Sequence, residues 1–244
     1  MGLPRDRSGQ ATFDPVDRSL LTEFTGVLDS IEWDFAFLQE CPPGWVGDLA
    51  HETVSEGWLA PTARNWMSPV TGPVAARRPD LIGSWEGGSN AILVRGLGGR
   101  NRVLEVETGT LSRLPERRVM LFIALSTGLC LANFHASTGR GRAERDVLAA
   151  ARSAIDLAGG RPLVFGGDFN CRPASSDVFR QMEWEFSLAG AEDREGIDHL
   201  LSTGRPVPIQ SDVLPDRVRD VPDRSTGRGL RLSDHPVVVS LFSL

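Results

Sequence analysis

The chain has 244 residues, 41% of them apolar and 24% charged, with a formal net charge of −6. That length supports one domain with a large buried core, and no stretch approaches the roughly 20 consecutive apolar residues that a membrane span needs. The acidic balance gives no general field to draw in nucleic acid, and since all 26 basic residues are Arg, arginine number is no functional signal.

Asp14-Pro15 reads as an N-cap followed by Pro at the first helical position, and Leu20, Leu21, Phe24, Val27, Leu28 and Ile31 then repeat at helical spacing. Phe35–Gln39 is a short apolar run that ends on Glu40, ahead of the Cys-Pro-Pro-Gly stop, as a buried strand would. From Trp45 to Gly88 the chain is rich in Pro, Gly and Trp without periodicity and is expected to form surface loops with short elements around a cleft. Trp45, Trp58, Trp66 and Trp85 fall there, with core packing the commoner fate of Trp and base stacking the alternative.

Residues 91–95, 103–106, 119–125 and 129–134 are strand-like, and Ser126-Thr-Gly between the last two predicts an antiparallel hairpin. From Ser137 a capped segment leads into Val147, Leu148, Ala151, Ile155 and Ala158 at helical spacing, closed by Gly159-Gly160. Residues 163–165, 197–201 and 237–242 complete the strands, and the Arg/Asp/Pro-rich span from Arg205 to Arg231 reads as exposed loops around one short strand. Strands and helices alternate irregularly, which predicts an α+β fold in a single domain over residues 1–244.

Three cysteines, Cys41, Cys130 and Cys171, form no CxxC pair and leave one over, against both a disulfide framework and a thiolate zinc site. Arg5 and Arg7 have no apolar run behind them, so nothing reads as a secretory signal and a cytoplasmic location is expected. No obligate protein partner is evident.

Five polar clusters stand at or just past the C-terminal ends of apolar runs: Glu40, Asn133-Phe-His135, Asp168-Phe-Asn170, Asp198-His199 and Ser233-Asp234-His235. Side chains alternate along a strand, so Asp168 and Asn170 are expected to point one way and Phe169 into the core, with Asn133 and His135 paired likewise. Singly, each has a structural explanation: a solvated strand end, a turn cap or a satisfied histidine. Together they supply hard oxygen ligands suited to Mg²⁺ or Mn²⁺, with imidazoles and amides for proton transfer and charge stabilisation. That is the equipment for cleaving a phosphoester.

FAFLQE, NAILVR, CLANFHAS, LVFGGDFNCRP, GIDHLL and LSDHPVVVSL, in this order from Phe35 to Leu241, resemble the motifs of the endonuclease/exonuclease/phosphatase superfamily. That group includes DNase I, AP endonucleases, neutral sphingomyelinases and inositol polyphosphate 5-phosphatases. The resemblance implies a four-layer α/β/β/α sandwich and a Mg²⁺-dependent hydrolase, with Mn²⁺ as a substitute. The substrate would be a nucleic acid, a phospholipid headgroup or a small phosphate ester. It makes Glu40 the main metal ligand and Asp234 a second candidate at the same site. Asp168 would orient or deprotonate water, and Asn170 would hold the phosphate. His135 would donate to a non-bridging oxygen, and His235, held by Asp198, would act as general acid or base. Asn133 and Arg172 are candidate substrate contacts, with Arg140 and Arg142 also placed where phosphate could reach them.

Two features depart from the family pattern. The usual first strand, ending in Trp-Asn or a similar pair, has no counterpart before the first helix, so either the start lies upstream or this strand and one metal-site residue are lost. The first is expected, since losing a central strand would expose core. The chain also has no Tyr, which many nuclease members use. The competing expectation is a catalytically impaired protein that binds phosphate ligands on the same scaffold.

Overall fold

Arg118-Val-Met-Leu-Phe-Ile-Ala-Leu125 carries no polar alternation, and a strand of that kind must be covered on both faces. The computed structural model, which describes residues 18–62, 88–96, 101–112, 117–190, 195–223 and 229–243, shows that it is. Val119, Leu121, Ile123 and Leu125 face a second sheet, while Met120, Phe122 and Ala124 face helices. The described elements are α1 (Leu21–Asp29), β1 (Phe35–Cys41), α2 (Val46–Glu52), β2 (Glu56–Pro61), β3 (Ser89–Val94), β4 (Val103–Ser112), β5 (Arg118–Leu125) and β6 (Cys130–His135). They continue with α3 (Arg140–Ala158), β7 (Leu163–Asp168), α4 (Val178–Phe186), β8 (Leu188–Ala189), β9 (Asp198–Thr203), β10 (Val207–Val213), β11 (Asp220–Pro222), β12 (Gly229–Arg231) and β13 (Val238–Ser243).

One sheet runs β4-β5-β6-β7-β9-β8, and a second runs β1-β3-β2. The ribbon of β10 and β13 lies against β9. Three apolar clusters define the layers. Leu21, Phe24, Val46 and Leu49 of α1 and α2 cover Ala91 and Leu93 of the smaller sheet. Ile92, Val94 and Phe37 meet Leu121, Leu131 and Val164 between the sheets. Ala143, Val147, Ala150, Ala151 and Ala154 of α3, with Met182 of α4, cover the outer face of the larger sheet. This is the helix, sheet, sheet, helix order of the α/β/β/α sandwich. Among the described residues, β1 is hydrogen-bonded to a strand on one edge only, and so is β13.

Several local expectations change. The helix expected from Asp14 begins at Leu21; residues 14 to 17 lie outside those described. No side chain caps α3; instead Asp146 Oδ2 accepts the Ser137 backbone N–H at 3.1 Å. Of the 45–88 span, residues 63–87 lie outside those described, and residues 45–62 hold a helix and a strand that the sequence did not resolve, because α2, at seven residues, is too short to display a period, and Gly57 and Pro61 disguise β2. Trp45 is buried against Phe24, Trp58 packs between the sheets, and Trp66 and Trp85 lie outside the described residues. Among the described residues between Arg205 and Arg231 there are three strands, not one; β11 and β12 have only three residues each.

Asn133 corrects the most specific expectation. It is wholly buried, and its Nδ2 donates to Leu38 O at 2.9 Å and Ala91 O at 2.8 Å. Its Oδ1 accepts from Gln39 Nε2 at 2.7 Å. Both amide hydrogens are used on strands of the facing sheet, so Asn133 joins the two sheets and contacts no substrate. Asn133→Ala is expected to lower the unfolding free energy by about 3 kcal/mol, since it strands two carbonyls and the Gln39 amide. Urea denaturation measures this, and a loss within experimental error would remove Asn133 from that role.

Candidate active site

Register gathers the site. His135 pairs with Asp168 across the parallel β6–β7 ladder, and Asp168 pairs with Asp198 across the antiparallel β7–β9 ladder. Directly opposed residues point to the same face, so these three side chains form one row. Phe134, just before His135, and Phe169, just after Asp168, turn to the helical side and are fully buried. Gly167 makes the row possible. Its φ is +134°, and a Cβ there would lie 1.8 Å from Phe134 O, so only glycine lets β7 deliver Asp168 against β6.

Glu40 comes from the other sheet. A bulge between Leu38 and Cys41 breaks the β1–β3 register, and Glu40 takes a left-handed φ of 54°. Gly88 permits that bend, because a Cβ at 88 would sit 2.5 Å from Glu40 Cα. The Glu40 side chain is 79% exposed, with Oε1 3.9 Å from His135 Nδ1. His135 Nε2 lies 3.3 Å from Asp168 Oδ2, and His235 Nε2 lies 3.9 Å from the same oxygen. His235 Nδ1 meets both oxygens of Asp198, at 2.9 and 3.1 Å. The structure thus brings together Glu40, His135, Asp168, Asp198 and His235.

Asn170 is not in the strand, as alternation predicted, but has a left-handed φ of 49° just past it. It nevertheless stays tied to Asp168, whose Oδ1 accepts the Asn170 backbone N–H at 2.8 Å in an Asx turn. Its Nδ2 reaches Ala136 O at 3.1 Å and Asp168 Oδ2 at 3.3 Å. Asp234 is exposed beside His235. Arg172 is exposed and donates through Nε to Glu195 O at 3.0 Å. Arg142 is exposed, and the Arg140 side chain lies outside what is described. His199 faces away, its Nε2 3.2 Å from Cys171 O and its ring against Phe169 and Phe179, which gives it a packing role.

The three neighbouring groups have proton affinities driven in opposite directions. Burial, then the charges of Asp198 and Glu40, push Asp168 up to about 6, against the pull of the Asn170 N–H. Burial, helped by the positive charges of Arg118 and His235, pushes His135 down to about 4. Its approaches to Asp168 and Glu40 at neutral pH are therefore polar contacts and not ion pairs. The hydrogen bond to Asp198 raises His235 to about 9 in spite of its partial burial. At neutral pH the site holds an ionised carboxylate of raised basicity, a neutral imidazole and an imidazolium.

Arg118, buried at the start of β5 with Nε 3.2 Å from Ser137 Oγ, was not singled out from the sequence. In a chain whose every cation is Arg, nothing marks it. Asp168, Asp198 and His235 place three ligand atoms within 4.8 Å of one another. A metal fits the carboxylates better than that trio, since His235 carries its proton and uses Nδ1 on Asp198. Exposed Glu40, whose charge helps to raise the proton affinity of Asp168, and exposed Asp234, whose charge does the same for His235, offer hard oxygen donors that match a divalent cation.

The sequence model described as Endonuclease/Exonuclease/phosphatase family matches residues 11–235. No curated protein sequence matches the chain. Among solved structures, a mannosyl-6-phosphatase of Bacteroides thetaiotaomicron is similar at 15% identity and TM-score 0.64, covering 92% of this chain and 90% of that one. Truncated TDP2 of Caenorhabditis elegans is similar at 16% identity and TM-score 0.58, covering 92% of each chain. The human Nocturnin catalytic domain, solved with bound sulfate, is similar at 15% and 0.59, covering 91% and 87%. At these identities the likeness is one of fold.

Asp168 couples this site to stability. A carboxyl raised from 3.8 to about 6 favours the protonated folded state, so its stabilising contribution is full below 3.8 and is lost as pH rises through about 6. Asp168→Asn removes that loss and is expected to stabilise the protein by about 1 kcal/mol at roughly pH 7.5. Thermal melting above and below pH 6 checks it; a variant less stable than wild type at the higher pH would contradict this account of Asp168.

Proposed function

Since the chain belongs to the endonuclease/exonuclease/phosphatase family, we propose that it hydrolyses a phosphate ester by attack of water that Asp168 deprotonates. One observation carries this reading: a carboxylate raised to about 6 lies 3.9 Å from an imidazolium raised to about 9. Opposite shifts of two neighbouring groups make one a competent base and the other a competent acid at the same pH.

The residues divide the work as follows. Asp168 takes the proton from water, its geometry held by the Asn170 backbone N–H. Asn170 Nδ2 turns one hydrogen to the phosphate as the ester arrives. His235 directs its Nε2–H at the phosphate, where it stabilises the gathering negative charge or protonates the leaving oxygen; Asp198 on Nδ1 fixes its tautomer and keeps it charged. Neutral His135 donates one hydrogen bond to a non-bridging oxygen. Glu40 and Asp234 would hold Mg²⁺, the ion their hard oxygens favour, with Mn²⁺ as a substitute. A divalent ion there supplies Lewis-acid neutralisation of phosphate oxygens. The filled acid and base positions favour an enzyme over a protein that only binds phosphate. Arg172, exposed two residues after Asn170, is assigned to substrate beyond the scissile phosphate.

Hydrolysis of bis-p-nitrophenyl phosphate and p-nitrophenyl phosphate, with Mg²⁺, Mn²⁺ or EDTA, tests the reading and separates diesterase from monoesterase action. Turnover is expected to stop with EDTA and return with either ion; turnover indifferent to EDTA, or restored by Zn²⁺ alone, would refute the assigned donor set. Asp168→Ala, His235→Ala and Glu40→Ala are each expected to reduce kcat at least about 100-fold with the fold retained. Retained activity in any two of them would falsify the mechanism.

The pH profile follows from the same groups. Asp168 must be ionised and His235 protonated, so kcat is expected to rise through about 6 and fall through about 9. Asp198→Asn removes the support of His235 and is expected to move the alkaline limb downward. An alkaline limb unchanged in that variant would assign it to another group.

A further inference from the structure

The loop that carries Asp234 and His235, between β12 and β13, is gripped from below by one buried cation. Arg219 is 9% exposed and directs Nη1 at two successive backbone carbonyls, Ser233 O at 3.1 Å and Asp234 O. The rest of its fork is fixed by Asp216, whose Oδ1 accepts from Nε at 3.2 Å and Nη2 at 2.7 Å. Asp216 is itself tied to the next strand through Arg231 Nη2, at 2.9 Å. Arg231 spans to Asp220 with Nε and Nη2 at 2.7 and 2.8 Å, across the β11–β12 register in which these two residues are directly paired. The Arg219 carbonyl accepts Leu232 N–H at 2.9 Å, so the main chains on the two sides of the clamp are joined as well.

This ribbon belongs to neither large sheet, and its charged side chains brace Arg219, which alone of them reaches the Ser233 and Asp234 carbonyls. Resting on the phosphoesterase reading, we propose that Arg219 is a positioning residue for that reaction. It locks the Ser233 and Asp234 carbonyls so that His235 is held with Nδ1 on Asp198 and Nε2 toward Asp168.

The local alternative is a loop held by Ser233 Oγ alone, which accepts His235 N–H at 3.1 Å. That bond fixes the turn but not its tilt against β9, where Asp198 stands. A planar guanidinium can engage a carboxylate with one edge and carbonyls with another, which an ammonium group cannot reproduce. Arg219→Lys is therefore not conservative here. The ion pairs are also not ordinary surface pairs, because the cation is buried and its free hydrogens go to main chain.

The test uses the full chain with Mg²⁺ and the variants Arg219→Met, Arg219→Lys and Asp216→Asn, each checked for fold by circular dichroism. All are expected to lower kcat on p-nitrophenyl esters with KM within about twofold, Arg219→Met by about 100-fold, the scale of a misplaced catalytic group. Proton NMR gives a reading independent of turnover. The low-field Nδ1 proton of His235, assigned by its absence in His235→Gln, is expected to broaden or vanish in the Arg219 variants. Folded variants that keep this resonance, with kcat near wild type, overturn the proposal. If Arg219→Met does not fold, Asp216→Asn decides by the same two readings, since that carboxylate is exposed and carries no core packing. If wild type cleaves neither ester, the phosphoesterase reading has failed, and the resonance alone decides the clamp.

Discussion

The face-to-face contact of β1 and β3 with β5, β6 and β7 is the constraint on which the rest of the molecule depends. It buries Phe37, Ile92 and Val94 against Leu121, Leu131 and Val164, and burial of side chains of that size is the dominant favourable contribution to folding. Orientation within the contact comes from a polar group, Asn133, whose bonds to Leu38 O, Ala91 O and Gln39 set the height of one sheet over the other. Glu40 follows two residues after Leu38 and His135 two residues after Asn133. The bonds that register the sheets therefore also set the spacing of carboxylate and imidazole across the cleft.

Electrostatics then distinguishes groups that geometry has made neighbours. Burial favours the neutral form of both Asp168 and His135, raising the acid to about 6, which leaves it ionised at neutral pH, and lowering the base to about 4. His235 escapes because its hydrogen bond to Asp198 outweighs desolvation. Three titratable side chains within 4 Å contacts thus hold three different charge states without any of them being remote from the others. An acidic excess at this rim is tolerated because Glu40 and Asp234 remain open to solvent.

Much of this was legible in the sequence where a strand ends in a functional group. Apolar runs stopping at Glu40, His135 and Asp168 located both the strands and the site, because the run and the polar end report the same transition from covered to open backbone. Asp198 and His235 also stood at strand ends, but only the motifs resembling the family paired them, a link that periodicity could not make across 37 positions. The sequence was misleading for Asn133: side-chain alternation puts it on the same face as His135, but depth along the strand, which alternation does not encode, buries it. Short elements such as α2, β11 and β12 leave no period to read. Arg118 and Arg219 were hidden for another reason, since function at those positions depends on which of 26 identical cations is buried.

The order of the site residues along the chain differs from their order in space. Glu40 belongs to the first described strand, while His235 precedes the last one and reaches Asp198 only when β13 lies alongside β10. A folding intermediate could therefore close the β5-β6-β7 sheet, cover it with α3 and possess most of its native secondary structure while lacking any acid–base pair. Contacts between such distant segments form late and slowly because loop closure precedes their reward. The acid–base pair is therefore complete only in a chain whose β13 has docked on β10, however much of its other secondary structure has formed.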